Sequence, residues 1–127
     1  MDNETSQSLN ILYIEDDVTV QSLMGFYLKN LPHQIDYANE GNSAISLLKE
    51  QNFDLIIMDW SLPTSPTGQD LVNSIRQVQG YEATPIIVVT GFDNPEDLEG
   101  LDRDTIQGFL AKPINRVKLK NLISEFA

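Results

Sequence analysis

Five short apolar runs, at residues 11–14, 35–38, 55–58, 86–89 and 108–111, constrain the fold of this 127-residue chain more than any other feature. The third and fourth, Leu55-Ile56-Ile57-Met58 and Ile86-Ile87-Val88-Val89, contain no polar residue. A strand with one wet face alternates polar and apolar side chains, so unbroken runs of this length describe strands covered on both faces. Between the runs, apolar residues recur at helical spacing: Val20, Leu23, Met24, Tyr27 and Leu28, then Ala44, Leu47 and Leu48, then Leu71, Val72 and Ile75. A last helix carries Leu119, Leu122, Ile123 and Phe126. The stretch 94–101 is weaker. Pro95 suits a first helical turn and two acids follow it, but few apolar residues would anchor it, so a short, mobile helix is expected there. Strand and helix alternating five times predict an α/β fold, a (βα)5 doubly wound five-stranded parallel sheet, because parallel strands need crossover connections that cover both faces.

A chain of this length, 41% hydrophobic, can bury one sizeable core. Residues 1–10, polar and rich in Asn, Ser and Gln, predict a disordered tail, with a single domain over 11–127 that closes on its last helix and leaves no room for an effector domain. Nineteen acids against eight bases, a formal charge of -11, argue against direct contact with nucleic acid or an anionic membrane surface. Partners should bring positive patches or metal ions. No cysteine is present and no apolar stretch approaches a signal sequence or membrane span, which together predict a cytoplasmic location.

In an open parallel sheet the ligand site lies beyond the carboxyl ends of the strands, where the chain order reverses. Here the first strand ends in Glu15-Asp16-Asp17, the third in Asp59, the fourth in Thr90-Gly91 and the fifth in Lys112-Pro113. Three consecutive carboxylates at a strand end call for a cation, since two unit charges about 4 Å apart at an effective dielectric near 20 repel by roughly 4 kcal/mol. Asp16 and Asp59, with Glu15 nearby, offer the hard oxygen ligands that Mg²⁺ prefers. Lys112 adds a point charge for an anionic oxygen and Thr90 a hydroxyl. Carboxylate, divalent metal, lysine and hydroxyl suit phosphoryl transfer, with Asp59 as nucleophile forming an acyl phosphate.

These residues sit in four ordered motifs: Glu15-Asp16, Phe53 through Asp59 with Leu62-Pro63 following, Ile87-Val88-Val89-Thr90-Gly91, and Phe109-Leu110-Ala111-Lys112-Pro113. The set resembles the receiver domain of two-component response regulators, a flavodoxin-like fold. The resemblance implies that Asp59 is the phosphoacceptor, Asp16 a direct metal ligand, Glu15 an acid acting through metal-bound water, and the Ser61 carbonyl a further ligand of Mg²⁺. It gives Lys112 the phosphoryl group, makes Thr90 and Phe109 a switch pair, and implies a cis Lys112-Pro113 bond. The donor would be a phosphohistidine on a histidine kinase or histidine phosphotransfer protein. The output would be a change in the surface of the fourth helix, fifth strand and last helix, open to an effector or to a dimer. Chemistry would be confined to self-catalysed transfer to Asp59 and its hydrolysis, so the chain would not be an enzyme for other substrates. One departure stands out: Pro63 to Gly68 holds one residue more than the family spacing and a second proline, Pro66, which predicts an altered path at the pocket rim.

Plainer roles compete at several positions. Asp17 reads as the cap of the helix beginning near Val18. Phe109 could be core alone, Trp60 reads as packing at the rim, and His33, beside Pro32 in a turn without metal-ligand companions, reads as a solvent residue. Two other functions use related parts. A flavodoxin-like cofactor binder should carry hydroxyls and backbone donors in its first loop, where this chain has Glu15-Asp16-Asp17. A haloacid-dehalogenase-type phosphatase wants a second acid two residues past the nucleophile, where Ser61 stands.

Overall fold

The computed structural model describes residues 8–92 and 94–127. Five parallel strands, β1 (Asn10–Ile14), β2 (Gln34–Ala38), β3 (Leu55–Asp59), β4 (Ile86–Thr90) and β5 (Gly108–Ala111), line up in the order β2-β1-β3-β4-β5. Four helices cover them: α1 (Val18–Leu28), α2 (Gly41–Glu50), α3 (Gly68–Arg76) and α4 (Arg116–Ser124). Every residue of β3 and β4 is buried, as their unbroken apolar runs require. Alternation along the strands divides the interior in two. Leu12, Ile14, Ile56, Met58, Ile86 and Val88 pack with residues of α2 and α3, whereas Ile11, Tyr13, Leu55, Ile57, Ile87 and Val89 pack with residues of α1 and α4. Asp17 caps α1, accepting the amides of Thr19 and Val20, and Asn115 caps α4 through the amide of Lys118.

The fourth crossover departs from the expected pattern. In place of a helix over 94–101 it has a 3₁₀ turn at Pro95–Asp97 and a second at Arg103–Thr105. Leu98 is the one buried side chain among its described residues, too little apolar surface to fix a helix against the sheet, and Gly100 at φ 80 takes the chain out of helical space.

Residues 1–7 of the expected tail lie outside the described residues. Order begins ahead of Ile11: Leu9 is buried and Asn10 opens β1. The Leu9 amide donates to His33 Nδ1 at 3.0 Å, and the Gln34 amide donates back to the Leu9 carbonyl at 2.9 Å. His33 is therefore half-buried and bonded, not a solvent residue. Burial pushes its pKa below the ordinary 6.5, and the accepted amide requires Nδ1 to be unprotonated. The unfolded chain thus binds the proton more tightly, so the contribution of His33 is complete above about pH 6.5, declines below it, and is gone once pH has fallen through the lower folded value. Urea midpoints should fall between about pH 7.5 and 5.5 by an increment worth up to about 1 kcal/mol, and His33→Gln should flatten the slope. Equal slopes in the two proteins would show that the bond is not maintained in solution.

Candidate functional site

The register of the sheet gathers the strand ends. Ile14 lies opposite Met58, so Glu15 and Asp59, the next residues, fall side by side; Thr90 lies opposite Ala111, which delivers Lys112 to the same edge. Lys112 Nζ stands 3.2 Å from Asp59 Oδ2 and 3.7 Å from Glu15 Oε1. The Ser61 amide donates to Asp59 Oδ1 at 3.1 Å and the Asp17 amide to Glu15 Oε2 at 3.1 Å. Asp59 and Glu15 are buried, whereas Asp16 faces solvent at the mouth. Burial, reinforced by Asp59 and Asp16, raises the Glu15 carboxyl above the usual range, against the Asp17 amide and Lys112, which lower it. Burial alone would lower the Lys112 ammonium, but Asp59 and Glu15 outweigh it and hold it above the ordinary lysine value.

Carboxylate oxygens of Glu15, Asp16 and Asp59 lie within 4.8 Å of one another. Glu15 Oε1 is fully buried and has no hydrogen-bond partner. A buried anionic oxygen left unsatisfied beside two other carboxylates fits a hard divalent cation, so the donor set suits Mg²⁺.

Thr90 is buried, and its hydroxyl oxygen accepts the Phe92 amide at 3.3 Å. Phe109 is half-buried against the core on the α2–α3 face. The Lys112-Pro113 bond is cis, and so is Ser65-Pro66 in the lengthened loop. That loop folds back on the start of α2: a Cβ on Gly41 would stand 2.5 Å from the Pro66 carbonyl oxygen. Trp60 is buried with its indole against Gly68, whose φ of 57 favours glycine.

Two supporting residues had escaped sequence reasoning. Thr67 donates its hydroxyl to the Trp60 carbonyl at 2.9 Å and accepts the Leu62 amide at 3.1 Å, closing the loop after Asp59 on itself. Its position just before a glycine that opens a helix was the available signal, but that signal suggests a cap, and Thr67 makes no side-chain cap bond. Gln21 donates to the Glu15 carbonyl at 2.7 Å and to Asn39 Oδ1 at 2.9 Å, pinning the end of β1. Nothing local marks it. A cleft of about 490 Å³ between residues 48–53 and 77–81 lies at the opposite edge of the sheet, far from the carboxylates.

The sequence profile of the response regulator receiver domain matches residues 11–124. The chain is 34% identical over 109 residues to the transcriptional regulatory protein ResD of Bacillus subtilis, covering 86% of this chain and 39% of ResD. It spans well under half of that regulator's length. The receiver domain of the Pseudomonas aeruginosa sensor histidine kinase PA1611, with a magnesium ion coordinated in its active-site cleft, superimposes with a TM-score of 0.78 at 26% identity, covering 94% of this chain and 98% of that one. A chain of the Saccharomyces cerevisiae co-crystal structure of the histidine phosphotransfer protein Ypd1 with the Ssk1 receiver domain gives a TM-score of 0.80 at 25% identity, with coverages of 95% and 90%. Among the described residues, no helix is long and apolar enough to cross a membrane.

Proposed function

The chain belongs to the response regulator receiver domain family, and from that premise we propose that Asp59 is its phosphoacceptor. The receiver unit runs from β1 through α4. The chain acts as a receiver domain of two-component signalling. The observation that carries the assignment of Asp59 is Lys112 Nζ, 3.2 Å from Asp59 Oδ2 although 53 residues away in sequence.

An Asp59 carboxylate oxygen attacks the phosphorus of a phosphohistidine, the P–N bond breaks, and its electron pair leaves with the imidazole of the donor. The product is an acyl phosphate on Asp59, which water later hydrolyses. Lys112 holds the carboxylate in place before transfer and takes a phosphoryl oxygen after it. Asp16, Asp59, Glu15 and the Ser61 carbonyl would hold Mg²⁺, which supplies charge neutralisation at the phosphoryl oxygens. The Ser61 amide fixes Asp59 Oδ1, which leaves the two carboxylate oxygens in different surroundings. Thr90 then moves to donate its hydroxyl to a phosphoryl oxygen, Phe109 fills the space it leaves, and the surface of the 94–107 crossover, β5 and α4 changes. That surface is the proposed contact for an effector or a second copy. The donor is a histidine kinase or phosphotransfer protein, the kind of partner that Ypd1 is for Ssk1, and the setting is the cytoplasm.

Incubation with a small-molecule phosphodonor and Mg²⁺ should add one phosphoryl group by intact mass, and hydroxylamine should remove it, as it removes acyl phosphates but not phosphoserines. A hydroxylamine-stable adduct, or none, would refute the reading. Flavin uptake would favour a cofactor binder, and turnover of phosphate esters a phosphatase.

A further inference from the structure

The fourth crossover is tied to α3 by side chains that the phosphoryl chemistry does not use. Gln69 and Arg76, two helical turns apart, lie on one face of α3. Gln69 Oε1 accepts the Asp102 amide at 2.8 Å, and its Nε2 donates to Thr105 Oγ1 at 3.1 Å. Arg76 Nη2 donates to the Thr105 carbonyl at 2.8 Å and to Gln107 Oε1 at 3.0 Å. The two ends of this attachment differ. Arg76 is also anchored by the carbonyls of Tyr81 and Thr84, and Gln107 Oε1 accepts the Ile86 amide at the start of β4, so the 107 end is fixed to the sheet. The Gln69 end meets an exposed backbone, and Leu98 is the only buried side chain described between 91 and 107. A segment held by so little buried surface opens at low free energy.

Gln69 is also the first residue after Gly68, at the point where α3 leaves the loop that follows Asp59. That loop has little freedom to absorb a displacement. Thr67 ties it to the Trp60 carbonyl and the Leu62 amide, and the Pro66 carbonyl oxygen presses on Gly41. The Ser61 amide at its other end is bonded to the Asp59 carboxylate itself.

We propose that Gln69 is a latch holding the 102–107 segment closed against α3, and that a phosphoryl group on Asp59 releases it by moving the 61–67 loop. The coupling half of this inference rests on the phosphoacceptor reading; the latch half does not. Its two states differ by a pair of hydrogen bonds at one end of a strap whose other end stays anchored at Arg76, which makes the strap a bistable element that Asp59 can bias. Thr90 and Phe109 act on the sheet side of the same crossover. Gln69 acts from the helix side.

Hydrogen exchange at 102–107 tests both halves. In unmodified protein, Gln69→Ala should speed exchange of the Asp102 amide, which loses its acceptor, by about fivefold for a hydrogen bond worth about 1 kcal/mol. Thr105→Val removes the other end of the latch together with the bond from the Thr105 hydroxyl to the Asp102 carbonyl at 2.6 Å, so its effect should equal or exceed that of Gln69→Ala. Unchanged exchange in Gln69→Ala would overturn the latch. Beryllofluoride with Mg²⁺ should then speed exchange at 102–107 in the wild type and add little in Gln69→Ala. A full beryllofluoride increment in Gln69→Ala would overturn the coupling. Fluorine NMR of the bound beryllofluoride separates the two levels: no bound signal in the wild type would overturn the phosphoacceptor reading and the coupling with it, while the unmodified variants still decide the latch.

Discussion

Asp59→Asn should take up no phosphoryl group from a small-molecule donor under conditions that label the wild type. The substitution keeps the shape of the side chain and an oxygen for the Ser61 amide, so the fold and the closed loop survive. It removes the anion. An amide oxygen is a poor nucleophile and cannot form a stable acyl phosphate, and the Lys112 ammonium loses the charge it faces at 3.2 Å. The rate of incorporation should fall at least about a thousandfold, equivalent to roughly 4 kcal/mol of barrier. Intact-mass measurement over a time course checks this, and labelling of the variant at the wild-type rate would move the nucleophile elsewhere. Asp16→Ala makes the companion case: Asp59 is still present, but one carboxylate of the cluster within 4.8 Å is gone, so labelling should slow rather than vanish.

The second large effect is on stability, and its size depends on the metal. Glu15→Gln should stabilise the protein in magnesium-free buffer and remove most of its response to magnesium. In the wild type Glu15 Oε1 is buried without a hydrogen-bond partner, close to the Asp59 carboxylate, and burial strains the charged form by more than Lys112, 3.7 Å away, relieves it. A neutral amide relieves the repulsion and can donate to Asp59, while its oxygen still accepts the Asp17 amide. The gain should be about 1–3 kcal/mol, the usual size of relieving one unsatisfied buried group. Magnesium acts in the opposite direction: at ten times its dissociation constant it stabilises the wild type by about 1.4 kcal/mol, a shift of a few degrees in the thermal midpoint, and the variant by much less. Scanning both proteins with and without magnesium gives the four midpoints. A variant less stable than the wild type without metal, or equally responsive to it, would contradict the account of the carboxylate cluster. A variant more stable than the wild type without metal and less responsive to it is typical of a site in which local stability is traded for ligand binding.

The five strands, their burial and the edge on which the polar residues meet were all legible in the sequence, and for a common reason. Each rests on a local pattern that tertiary structure had no cause to override: Leu55-Ile56-Ile57-Met58 has no polar face to present, Asp59 ends that run, and a parallel sheet brings the ends of its strands to one edge. The lengthened loop was visible as an extra residue and a second proline, though not the contact of Pro66 with Gly41. Helices α1, α2, α3 and α4 were legible because each carries enough apolar residues at the right spacing to be held by the sheet.

What only the tertiary structure decided are the places where that apolar surplus runs out. Over 94–101 the helical signal was weak, and with Leu98 as the one buried side chain described there, the crossover takes two 3₁₀ turns, at 95–97 and 103–105, and its second half finds partners in Gln69 and Arg76 on another element. His33 receives the Leu9 amide from 24 residues away, Thr67 spends its hydroxyl on the loop instead of on α3, and Gln21 reaches across to Asn39. A polar side chain carries no periodic mark of its partner: hydrophobic burial is set by how residues repeat along the chain, whereas a hydrogen bond is set by which two groups the finished fold leaves within about 3 Å.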